Sequence, residues 1–144
     1  MRGQGYRGMN QRSAENCAIC GCKLHRDGDY AKPTVKGRSH ATEHHYVAER
    51  FFGRSANRPG TSREPIFKDD EWNLEKRTAA YCYECHEELI HNPVFLADDI
   101  TAFSDLVRAR GLSEDDKTDD RSKIADRIKL LHEVIKAGLD ALKK

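Results

Sequence analysis

With 144 residues, a net charge of +1, 38% hydrophobic and 34% charged residues, the chain has room for one domain with a lean core. The balance excludes a uniformly basic nucleic-acid binder, and the sequence holds no apolar run of membrane-spanning length and no export-signal pattern. The matching expectation is a cytoplasmic, intracellular protein with no membrane partner. There the five cysteines are expected to serve metal or redox chemistry instead of disulfides.

In chain order, residues 1–14 carry Arg2, Arg7 and Arg12 with no acid and little to bury, and read as a flexible basic arm. Cys17-Ala18-Ile19-Cys20 follows, with Gly21 suited to the tight turn of a metal knuckle and Cys22 left as a spare thiol. Between residues 30 and 49 the β-leaning pieces around Pro33 and Gly37 predict a hairpin whose second strand carries His44 to Val47. Residues 53–64 are rich in Gly, Ser, Asn, Pro and Arg and predict a surface loop. A short strand is expected over 78–81. It leads into Cys82-Tyr83-Glu84-Cys85-His86 and a helix of about two turns that Pro93 should end.

Two longer helices complete the prediction. Asp98 and Asp99 open the first, and Arg110-Gly111 closes it. The second runs from about Asp119 to Leu142, with Ile124, Ile128, Leu131, Ile135, Leu139 and Leu142 at helical spacing. That stripe could cover the core or pair two chains, so both a monomer and a homodimer through the C-terminal helix fit.

Two Cys-x-x-Cys pairs in so short a chain point to a closed structural Zn²⁺ on Cys17, Cys20, Cys82 and Cys85. The 61 residues between the pairs exceed a usual zinc ribbon, so an insertion must lie between the knuckles. That insertion carries Glu43-His44-His45-Tyr46-Val47. Hydrolysing a phosphodiester needs a base and a cation to carry developing charge; histidine serves as base near neutral pH or as ligand to a divalent ion. Adjacent histidines on one strand, however, point to opposite faces.

The order Cys-x-x-Cys, His-His-Tyr-Val-Ala, Asn-Leu, Cys-x-x-Cys-His over residues 17–92 resembles the HNH (ββα-metal) endonucleases. The resemblance implies an α+β fold: a small zinc-stapled ββα-metal core over 15–97, with a helical C-terminal extension over 98–144 packed on it. It makes His45 the general base and His44 and His86 ligands of a catalytic Mg²⁺, Mn²⁺ or Ni²⁺. Asn73 becomes the brace of the loop over the hairpin. It further implies DNA as substrate, with RNA left open, 5′-phosphate and 3′-hydroxyl products, and a prokaryotic or phage setting. Ala48 stands where the family often has proline, so a frame shifted by one, with His44 as base and Glu43 as ligand, stays open. His91 is a candidate third ligand, but five residues after His86 it drifts off the shared face of a regular α-helix.

Arg50, Arg54, Arg58 and Arg63 follow the histidine pair with no acid among them and are candidate phosphate contacts. Two rivals remain at this level. One is a non-catalytic zinc-knuckle module that binds nucleic acid or protein; the other places the histidines on a second structural zinc.

Overall fold

A computed structural model describes residues 15–28, 30–53, 64–69, 71–72 and 77–143. The basic arm, Arg54, Arg58, Arg63 and Asn73 lie outside the described residues. The chain is a small α+β protein that divides into two compact units, Met1–Ala48 with Trp72–Val94, and Glu49–Glu71 with Phe95–Lys144. Segment 49–71, included in the 15–97 core by the sequence reading, thus groups with the helices.

The first unit begins with the knuckle. The Cys17 N–H donates to the Cys22 carbonyl (2.9 Å) and the Gly21 N–H to the Cys17 carbonyl (3.0 Å). Gly21 takes φ +82°, a conformation that a side chain would resist. The Ala18 N–H donates to the Ala80 carbonyl at 3.0 Å, so backbone ties the knuckle to the strand that precedes the second cysteine pair.

Residues 30–45 do not form the expected hairpin. Val35–Arg38 is a short helix (α1), capped by Thr34, whose Oγ1 accepts from the Gly37 N–H at 3.0 Å. The histidine-bearing strand β1 (Ala41–His45) pairs instead with the distant β2 (Thr78–Cys82), antiparallel and in unbroken register from Ala41↔Cys82 to His45↔Thr78. Val47 lies beyond the strand and is buried. The strand expected over His44 to Val47 overlaps β1 only at His44 and His45, and its partner differs because pairing across the insertion is a tertiary choice.

A π-helix over Glu84–Ile90 follows β2 directly, giving the order strand, strand, helix. The buried cluster of this unit is Cys17, Leu24, Ala41, Tyr81, Cys82 and Cys85. Half of its members are cysteines. Fully burying a Leu-sized side chain contributes only about 1.5–3 kcal/mol, so a core this lean relies on what its sulfurs can hold.

The second unit is conventional. A 3₁₀ turn over Glu49–Phe52 puts Phe51 edge-on to Phe67, with centroids 5.5 Å apart, and Phe67 is buried. Helix α2 (Ala97–Ala109) starts with Asp99 Oδ2 accepting from the Leu96 N–H at 2.9 Å. It ends at Gly111 (φ +72°), where the Leu112 N–H reaches the Val107 carbonyl and the Gly111 N–H the Arg108 carbonyl, a Schellman turn.

Helix α3 spans Ser122–Leu142, starting three residues later than the sequence implied. Asp120 accounts for the late start, since its Oδ1 accepts from the Ser122 N–H at 2.8 Å and turns the chain just before the helix. In α3, Ala125 and Leu130 are buried, whereas Ile135, Leu139 and Leu142 are exposed, so the apolar stripe is covered only in its first half. Among the described residues no helix is long and apolar enough to cross a membrane.

Candidate metal centre

Two clusters of ligating side chains stand on the first unit. The four sulfurs of Cys17, Cys20, Cys82 and Cys85 all lie within 4.8 Å of one another, and the Cys20 and Cys82 sulfurs are 3.9 Å apart. Zinc–sulfur bonds of about 2.3 Å put the corners of a tetrahedron about 3.8 Å apart, so the set fits zinc. Each knuckle also points backbone N–H groups at its first sulfur. Ile19 and Cys20 donate to Cys17 Sγ (3.4 and 3.5 Å) and Cys85 to Cys82 Sγ (3.3 Å).

The thiols of the quartet differ in their electrostatics. Burial works to raise the Cys17 thiol, but the N–H groups of Cys82, Cys20 and Ile19 more than offset it and bring it down to about 6. Burial pushes Cys82 and Cys85 up; at Cys82 the Cys85 N–H and thiol oppose the rise and Cys17 adds to it, while at Cys85 both Cys82 and Cys17 add to it. Four thiols this close cannot all ionise unless a positive charge sits among them. Cys22 is outside the quartet. It packs against the core, with its thiol pushed up to about 12 by burial and by the thiols of Cys20 and Cys82.

The second cluster consists of His44, His86 and His91, whose ligating nitrogens also lie within 4.8 Å of one another. His44 comes from β1; the other two come from the π-helix and its C-cap. Ring centroids are 4.8 Å apart for His44–His86, 5.3 Å for His44–His91 and 4.7 Å for His86–His91. The five-residue spacing that takes His91 off an α-helical face matches the i→i+5 bonding of a π-helix, whose wider turn brings residues five apart nearer to one face. The wide helix therefore brings His91 to His86.

Burial, followed by the nearby imidazoles of His86, His91 and His45, holds His44 below its usual range. Burial does the same to His86, with Glu87 opposing and His91 reinforcing. Both effects favour neutral imidazole, the form that binds metals.

Other residues expected at the site fall as follows. His45 is half-buried at the last position of β1; with the register unbroken, alternation assigns it the face opposite His44. Glu43 is exposed, lies 3.8 Å from Arg26 and is not grouped with the three histidines. Arg50 is exposed in the 3₁₀ turn of the second unit.

Three neighbours of the histidines carried no motif. Thr42 Oγ1 is 2.8 Å from His86 Nδ1, and Glu87 lies 3.6 Å from both His86 Nδ1 and His91 Nδ1. Tyr30 donates its hydroxyl to Glu87 Oε2 at 3.2 Å. The signal for Thr42 was its place two residues before His44, on the same face of a strand. Neither family models, nor curated proteins, nor solved structures give a match to this chain.

Proposed function

We propose that the protein is a metal-dependent endonuclease of the HNH type that hydrolyses DNA phosphodiesters, the four cysteines holding a structural zinc. The observation that carries this reading is the convergence of His44, His86 and His91 from a strand and the helix after the second knuckle. Three imidazoles with no fourth protein ligand among the described residues match open catalytic sites, whereas closed structural sites use four. A divalent ion held there would supply Lewis-acid stabilisation of charge on the phosphate and the leaving oxygen. An all-nitrogen donor set suits Ni²⁺, Zn²⁺ or Co²⁺ better than Mg²⁺, which prefers oxygen.

His45 is the proposed general base, taking the proton of the attacking water. It is not among the ligands His44, His86 and His91, so removing it should leave metal binding intact; its role as base requires the end of β1 to twist it toward the phosphate. Phosphate contacts are assigned to Arg50, Arg54, Arg58 and Arg63, which would make binding salt-dependent and largely sequence-blind.

The test is cleavage of supercoiled plasmid with Ni²⁺, Mn²⁺, Mg²⁺ or EDTA. His45→Ala is expected to slow cutting by about 10²–10⁴-fold while keeping zinc content and Ni²⁺ binding. Undiminished cutting by that variant removes His45 as base. No cutting by the wild type with any metal, on plasmid, branched DNA or RNA, leaves a zinc-knuckle binding module as the better account.

A further inference from the structure

The hydroxyl of Thr42 has one proton to give, and its geometry assigns that proton. Thr42 Oγ1 donates to the Tyr81 carbonyl at 3.1 Å, across the register pair Thr42↔Tyr81. Toward His86 Nδ1, 2.8 Å away, the same oxygen can then only accept. Nδ1 must carry the hydrogen, and Nε2 keeps the lone pair.

We propose that Thr42 is the positioning residue of the histidine cluster: it locks His86 in the Nδ1–H tautomer so that Nε2 is the nitrogen presented to a divalent cation. The inference rests on the reading that His44, His86 and His91 hold such a cation, and it adds the group that orients the central ligand. His86 is the buried member of the trio, so its tautomer is set by protein groups and not by water. The Glu87 carboxylate, 3.6 Å from the same Nδ1, favours a proton there as well. Tyr30 holds that carboxylate through its hydroxyl. Ligating histidines characteristically spend their second nitrogen in this way, and loss of such an outer partner costs about 10–100-fold in metal affinity.

The experiment uses full-length protein, zinc-loaded and with the histidine site stripped by a mild chelator, in wild-type, Thr42→Val and Thr42→Ser forms. Long-range ¹H–¹⁵N correlation on ¹⁵N-histidine reads the tautomer of His86, and calorimetry with Ni²⁺ alone reads affinity. Wild type and Thr42→Ser should show Nδ1–H. Thr42→Val, which keeps the shape and drops the hydroxyl, should move His86 toward Nε2–H and weaken Ni²⁺ about 10–100-fold, with zinc content unchanged. An Nε2–H tautomer in the wild type overturns the proposal, as does wild-type tautomer and affinity in Thr42→Val. Plasmid cutting plays no part in either readout. A protein that shows the shift and never cuts refutes the nuclease and leaves the role of Thr42 standing.

Discussion

Cys85 and His86 are adjacent in the chain, yet they belong to clusters of opposite character. The sulfur cluster has four donors, three of them buried, and its thiols are themselves half of the core. The histidine cluster has three donors, of which His44 is half-buried and His91 exposed, and none belongs to that core. Four donors would close a tetrahedral ion by themselves; three would not. Both hang on β2 and the helix after it, so a single zinc staple would hold the frame on which the second site is built.

The strongest way to break this comparison is to remove a sulfur. Structural zinc in zinc-finger peptides binds with an apparent free energy of about 10–16 kcal/mol, more than Leu24, Ala41 and Tyr81 can replace. Cys82→Ser should abolish zinc retention and unfold the first unit, as read by metal analysis and by loss of dispersion in its amide resonances. A folded, zinc-free Cys82→Ser protein would show that the sulfurs merely pack. His44→Ala should do the converse, keeping zinc and fold while weakening Ni²⁺ by more than about 100-fold, since a ligand counts for more than its outer partners. Calorimetry on the zinc-loaded protein checks it.

The reading of the helix and its ligands was partly legible in the sequence. The cysteine pairs, the strand at 78–82 and the ends of α2 were visible because each depends on neighbours a few residues away: a turn glycine, an acidic first turn, a left-handed Gly111. The partner of β1 was not visible, because Ala41 meets Cys82 only after the chain has folded. His91 was judged against the wrong helix. Local pattern carries the α-helical repeat of 3.6 and gives no warning that the backbone widens at Glu84–Ile90.

A pH series sharpens the contrast further, with a smaller effect. Burial holds His44 and His86 below the ordinary value of 6.5, to which unfolding returns them. Below pH 6.5 the unfolded chain binds more protons than the folded one. The contribution of these residues to stability is therefore level above that pH and declines as pH drops below it. Ni²⁺ affinity should decline in the same direction, and affinity that grows on acidification would contradict the site. The least effect is expected on the exposed surface of the second unit. Leu139, 60% exposed on the uncovered half of α3, should tolerate Leu139→Ser within about 0.5 kcal/mol of thermal stability. Leu130→Ala, buried in the same helix, should cost about 2–5 kcal/mol and leave zinc content and Ni²⁺ affinity unchanged.

The widened helix also has a bearing on chain length. An α-helix brings side chains four apart to one face, and the π-helix does so for five, so deleting Glu88 would turn the His86–His91 interval into the α-helical one. A protein one residue shorter could then rebuild the same pair of imidazoles on ordinary backbone. In this chain the five-residue interval and the wide turn offset each other, and the two rings still meet with centroids 4.7 Å apart.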